Sequence, residues 1–140
     1  MGKVDEALSI LKGLGLPKAQ QNERSALTLL ALADLKKKTP WSKAKSRFIR
    51  IHDILVFIRE NYGKQYAENT RETIRRQTLH QFEQAALVVR NPDNPQRPTN
   101  SPNNVYMVAD EALGVLQKYK MKRWKKTSGK FLSLKGRLID

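Results

Sequence analysis

Apolar residues recur at helical spacing along most of the chain, and that rhythm changes once. Val4, Ala7, Leu8, Leu11 and Leu14 share a face at 3.6 residues per turn and predict a helix over residues 3–14, which Gly13, Gly15 and Pro17 terminate. A second helix is predicted over residues 18–36. Its first half is polar, but Ala26 to Ala33 is apolar nearly all round, the pattern of a central helix on which others pack. Thr39 before Pro40 reads as an N-cap with proline at the first helical position, and Trp41 reads as a core anchor. Ile51, Ile54, Leu55, Ile58 and Tyr62 line a third helix over residues 47–62, with Gly63 placed for a left-handed cap.

A short connector, residues 64–68, leads into a fourth helix predicted over residues 70–86. Asn69 as N-cap with Glu72 at the third helical position has the form of a capping box. Two helices joined by so short a turn are a helix-turn-helix arrangement. The helical rhythm then gives way to short apolar runs. Leu87-Val88-Val89 and Val105 to Val108 read as outgoing and returning strands. A hairpin closes with roughly two to five loop residues. The Asn- and Pro-rich stretch from Arg90 to Asn104 is far longer than closure needs. It is either a working loop or a disordered insertion. Asp110 to Leu116 predicts a last helix, and a lysine-rich tail follows.

Helices, a helix-turn-helix and then a two-stranded ribbon give the order of a winged helix. The expectation is a mainly α fold: a winged helix-turn-helix with a two-stranded β-wing and a C-terminal helix. Residues 1–120 would form the domain, and residues 121–140 a basic tail or linker. A chain of 140 residues suits one core.

Charge adds the first hint of a partner. The chain carries 27 Lys and Arg against 13 Asp and Glu, a formal +14 at pH 7. Such a surface repels itself unless it meets a polyanion or an acidic surface. One basic cluster is Lys36, Lys37, Lys38, Lys43, Lys45, Arg47 and Arg50. The other is Lys118, Lys120, Lys122, Arg123, Lys125, Lys126 and Lys130, which reads equally as a linker. Both suit phosphate contacts. The absence of cysteine removes disulfides and thiol chemistry and fits a reducing cytoplasm. Nothing in the sequence reads as a signal peptide or a membrane span, so cytoplasmic localisation and no membrane partner are expected.

The fourth helix carries the candidate reader. Ile74, Thr78, Phe82, Ala85 and Ala86 gather on its core side, with Leu79 at the edge. Asn69, Thr70, Thr73, Arg76, Gln77 and His80 lie opposite. Side chains of these types read base edges in a major groove, arginine against guanine and amides against adenine. The alternative is an ordinary solvated face, but such faces usually alternate Lys and Glu. Arg71 and Arg75, at the margin, suit phosphate or internal carboxylates. Arg90, Arg97 and Asn100 belong to the wing, where arginine holds phosphate or enters a minor groove. The loop asparagines also suit turns.

Catalytic patterns are missing. Pro92-Asp93 offers the first element of a PD-(D/E)xK nuclease, but no Glu-x-Lys or Asp-x-Lys follows, and Asp34-Leu35-Lys36 precedes it. His52 and His80 stand alone, without metal-ligand spacing. No metal site, catalytic residue or cofactor is expected in this chain.

Three stretches resemble the BsuBI/PstI family of type II restriction endonucleases. They are Pro17 to Ala33 with Trp41-Ser42, Tyr66 to Phe82, and Asn91 to Pro95 with Arg97 to Pro102. The resemblance covers roughly residues 10–110. It implies an N-terminal helix-turn-helix region that precedes a separate nuclease domain. It also implies duplex DNA as substrate, a CTGCAG palindrome, and magnesium only for the nuclease domain. A separate or fused nuclease domain and a dimer on the palindrome become expected partners. The expectation is a sequence- or modification-specific duplex-DNA-binding domain that is not an enzyme as it stands. A free-standing winged-helix transcriptional regulator is the alternative, because fold alone does not settle function. An RNA-associated basic protein is a third reading; its few aromatics argue against base-stacking platforms.

Overall fold

The computed structural model describes residues 2–120 and 124–139. Helix α1 spans Lys3–Gly13 and packs along α2, Glu23–Leu32. Every residue of α2 from Ser25 to Leu32 is buried, so this helix is the axis of the core. It also touches α3 (Ile51–Tyr62), the middle of the fourth helix and the returning strand. A helix apolar all round can be stable only when surrounded in this way.

The second helix is shorter than the predicted span of residues 18–36. Residues Lys18–Gln20 form a separate 3-10 turn. Asn22 then caps α2, its side chain accepting from the Ser25 amide at 2.8 Å. Such a cap contributes about 1 kcal/mol. Beyond Leu32, Asp34 adopts φ 56°, and the Leu35 amide reaches back to the Leu30 carbonyl at 2.9 Å, closing the helix well before Lys36. Pro40 precedes a 3-10 turn, Trp41–Lys43, instead of a full helix. Thr39 is not its cap; its hydroxyl accepts from the Lys36 amide at 3.2 Å. Trp41 is the expected anchor, 4% exposed and edge-on to Tyr119 at 5.6 Å.

Helix α3 starts four residues later than periodicity predicted because the preceding backbone is used elsewhere. Ile49 exchanges both hydrogen bonds with Tyr106, adding a one-residue bridge to the sheet. Arg50 therefore becomes the N-cap, its amide donating to Asp53 at 3.3 Å. Gly63 ends α3 with φ 68°, as its position implied.

The fourth helix, α4, runs without a break over residues 70–84. Thr70–Thr73 and His80–Gln84 are α-helical, and Ile74–Leu79 between them is a π turn. The wider π turn adds roughly one residue to a turn. It draws Leu79 inward: Ile74, Thr78, Leu79 and Phe82 are all fully buried, although uniform 100° steps put Leu79 at the edge. Asn69 makes no capping hydrogen bond, and the expected capping box is absent. Glu72 turns instead toward Arg75 and Arg76.

Strands β1 (Val88–Arg90) and β2 (Tyr106–Val108) pair antiparallel, with Val88 opposite Val108 and Arg90 opposite Tyr106. Helix α5, Asp110–Gln117, follows. The lysine-rich C-terminal stretch, expected to be a tail or linker, forms helix α6 over Trp124–Ile139 and packs on α5. Phe131 enters the core, and Trp124 stands edge-on to Tyr119 at 5.2 Å. The result is a mainly α winged helix-turn-helix with a two-stranded wing.

Candidate nucleic-acid interface

The core side of α4 fixes which of its residues face outward. Asn69, Arg76, Gln77 and His80 are exposed, and Thr70 and Thr73 are half-buried. Thr78, in the core row, accepts from Arg24 Nε of α2 at 3.0 Å, which ties the helix to the domain's axis. A reading helix needs such an anchor, because base-edge recognition depends on position at the level of hydrogen-bond lengths.

Beside α4 stands the wing. Residues 91–105 are not a disordered insertion but a chain of turns. Asn94, Arg97, Ser101 and Asn104 each donate a backbone hydrogen bond three residues back. The buried Asn91 side chain organises them. Its Oδ1 accepts from the Val105 amide at 2.9 Å and from Arg97 Nη1 at 2.8 Å. Its Nδ2 donates to Asn104 Oδ1 at 2.8 Å. Asn104 in turn donates to the Thr99 carbonyl at 2.6 Å. Arg97 completes the loop with a bidentate pair to Asp93, at 3.0 and 3.3 Å.

Between α4 and the wing lies an open cleft of about 400 Å³, lined by Arg75, Arg76, His80, Glu83, Arg90, Thr99 and Tyr106. Glu83 faces Arg90 at 3.4 Å. Burial pushes its carboxyl above the ordinary 4.5, against the opposing charges of Arg90 and His80. A smaller recess at the wing tip brings His52, Arg71, Arg75 and Asn100 together, and Arg71 Nη2 lies 3.1 Å from His52 Nδ1.

The arginines singled out by sequence therefore do not stand alone. Arg71 faces Glu68 at 3.4 Å, Arg75 and Arg76 share Glu72, Arg90 faces Glu83, and Arg97 is bound to Asp93. The hydrogen bond from Arg75 holds the Glu72 carboxyl below its usual range, and Arg97 does the same for Asp93. These four carboxylates were absent from the sequence-derived site. Four of the five pairings were visible as spacings of three or four residues, the reach of helical or tight-turn neighbours. The fifth, Glu83 with Arg90, joins a helix to a strand.

The lysines lie elsewhere. Lys36, Lys37, Lys38 and Lys43 are exposed. The contacts of their segment run to α1, through Lys3 and the Thr39 carbonyl, and to the end of α3, where Tyr62 donates to the Leu35 carbonyl. Lys45 is exposed but faces Asp34 at 3.5 Å. Arg47 is taken up structurally. It donates to the Ala31 carbonyl at 2.6 Å, faces Asp34, and lies over the Phe57 ring. In the second cluster Lys120 pairs with buried Glu6, while Lys125, Lys126 and Lys130 are exposed on α6. Lys122 and Arg123 lie outside the described residues. Among the described residues, no three His, Asp or Glu side chains are grouped to hold a metal ion, and no helix is long and apolar enough to cross a membrane.

The whole chain, residues 1–140, matches the family described as the BsuBI/PstI restriction endonuclease HTH domain. The chain belongs to this family. It is 47% identical to the type II restriction enzyme BsuBI of Bacillus subtilis over 137 residues, 98% of this chain and 43% of that enzyme. It is 37% identical to the type II restriction enzyme AplI of Arthrospira platensis over 113 residues, 81% of this chain and 35% of that enzyme. The solved structure of SdaI restriction endonuclease superposes with a TM-score of 0.89 at 35% identity, covering 93% of this chain and 41% of that one. The chain thus spans about two-fifths of the length of BsuBI and SdaI. The BsuBI/PstI resemblance read over roughly residues 10–110 in fact extends over residues 1–140, including the C-terminal stretch that forms α6.

Proposed function

We propose that this chain recognises double-stranded DNA for a type II restriction endonuclease, with α4 as the sequence reader and the wing as its clamp on the backbone. The observation that carries this reading is the outward polar row of α4, exposed Asn69, Arg76, Gln77 and His80 with half-buried Thr73, beside a basic cleft. A major groove about 12 Å wide admits one α-helix. With α4 seated there, Arg76 can meet guanine N7 and O6, Gln77 can meet adenine, and the threonine methyls suit the thymine methyl. The wing residues Arg90 and Asn100, with Arg75 behind them, then approach the flanking phosphates.

The exposed lysines add attraction without sequence information. Each neutralised phosphate releases counterions, so they set the salt dependence rather than the target. Metal-dependent phosphodiester cleavage uses metal-held carboxylates; we assign that chemistry, and its magnesium, to a nuclease domain outside this chain. A dimer on a palindromic site and a cytoplasmic location complete the proposal.

Selection of bound duplexes from a random library tests it. The expected result is enrichment of one short motif, and repetition with adenine- and cytosine-methylated libraries reveals whether a methyl group is required or forbidden. Retention of duplexes without any enriched sequence would overturn specific recognition. Preference for single-stranded RNA over duplex DNA would overturn the choice of partner.

A further inference from the structure

Glu72 sits within the row of α4 that faces outward, where a carboxylate is electrostatically costly for a DNA-binding surface. Its two oxygens are both engaged. Arg75 donates to Oε1 from Nε at 3.1 Å and to Oε2 from Nη2 at 2.8 Å. Arg76 places its own Nε 3.0 Å from the same Oε2. The two arginines differ in exposure: the Arg75 side chain is 19% exposed and wedged against the domain, while that of Arg76 is 73% exposed. Glu72 thus links a fixed guanidinium to a free one.

Two physical consequences follow. With Nε of Arg76 at ion-pair distance from Glu72, its two terminal Nη groups remain for an outside acceptor pair, the arrangement that a guanine edge satisfies. The carboxylate also reduces the local charge of the two arginines from +2 to +1. A backbone phosphate is an anion and is repelled by Glu72. A guanine edge carries only partial negative charge on N7 and O6 and is repelled far less. The same carboxylate therefore favours base contact over backbone contact.

We propose that Glu72 is a specificity-determining positioning residue: it buttresses Arg76 toward a guanine edge and weakens the grip of Arg75 and Arg76 on phosphate. This inference rests on α4 being the reader of duplex DNA. Glu68, Glu83 and Asp93 pair with arginines around the same surface, but each meets a single arginine, so the effect is centred on Glu72.

Binding of wild type, Glu72→Gln and Glu72→Asp is measured at two salt concentrations, using the duplex most enriched from the random library and a scrambled duplex of equal composition. Glu72→Gln retains the side chain's shape and removes its charge. It is expected to bind the scrambled duplex more tightly, to steepen that duplex's salt slope by up to about 0.9, and to lower the specific-to-scrambled ratio roughly tenfold. Glu72→Asp keeps the charge but withdraws it by one methylene, so scrambled binding stays at the wild-type level while enriched-duplex binding weakens. A ratio unchanged in Glu72→Gln, or equal weakening of both duplexes, would overturn the proposal. Failure of the underlying reading looks different: the wild type itself would show no preference between the duplexes.

Discussion

The buried side chain of Asn91 donates to Asn104 across the base of the wing, at 2.8 Å, and joins the two ends of a loop that has no regular structure of its own. Asn91 also has φ 51°, a left-handed conformation that asparagine tolerates better than most residues. One residue thus supplies both the turn and the hydrogen bonds that order the wing.

Replacing Asn91 with Ala leaves the Val105 amide, Arg97 and Asn104 each short of a partner and strains the backbone. The expected loss is about 2–3 kcal/mol of unfolding free energy in urea titration, from unpaired buried polar groups and the left-handed site together. The wing backbone should also lose hydrogen-exchange protection. Protection equal to wild type over residues 91–105 would show that the turns alone hold the loop.

Gly13 of α1 provides a test of whether α6 belongs to the domain. A Cβ placed on Gly13 would lie 2.6 Å from Trp124 Cη2, too close for any real contact. In an open helix, Gly→Ala stabilises by roughly 0.5–1 kcal/mol. Here overpacking should reverse the sign, with Gly13→Ala costing about 1–3 kcal/mol and altering tryptophan fluorescence. A stabilised variant would mean that Trp124 does not rest against α1.

Reading and anchoring can be separated by substitution. Gln77→Ala should lose roughly 1–3 kcal/mol on the enriched duplex and relax preference at one position. Changing Lys36, Lys37 and Lys38 to Gln should weaken all duplexes about equally and flatten the salt slope. Binding titrations on enriched and scrambled duplexes distinguish the two, since only the first changes a ratio. If Gln77→Ala and Arg76→Ala leave the ratio intact in folded protein, the wing takes over as the candidate reader.

The cleft predicts a pH dependence of known sign. Glu83 is pushed above its ordinary 4.5 by burial, with Arg90 and His80 opposing, and the folded state therefore binds its proton more readily than the unfolded chain. Its contribution to stability is greatest below the unfolded value and falls as pH rises from about 4.5 through the folded value. Glu72 and Asp93, held below their usual ranges by Arg75 and Arg97, act oppositely, their contributions being lost as pH falls. Unfolding measured across this window should show Glu83→Gln gaining on the wild type as pH rises. A constant difference between them at all pH values would mean that the cleft does not desolvate Glu83.

The sequence by itself determined the elements whose signal is local. Helical periodicity marked α1, α2 and α3, Gly63 marked the end of α3, and short valine-rich apolar runs marked both strands. The outward row of α4 was legible because its inward row, Ile74, Thr78 and Phe82, is apolar or small. Ion pairs three or four residues apart, such as Glu72 with Arg75 and Arg76, were legible in principle for the same reason. Tertiary structure alone decided what depends on a distant partner. Ile49 left its predicted helix because Tyr106 offered its backbone two hydrogen bonds. Leu79 turned inward through a π turn that packing against the core makes worthwhile. The lysine-rich stretch became α6 because Trp124 and Phe131 found apolar surface on α1 and α5. Arg90 acquired Glu83 only when β1 folded beside α4. Periodicity records how a segment meets one apolar surface; it carries no record of which distant group will supply a hydrogen bond, a charge or a ring.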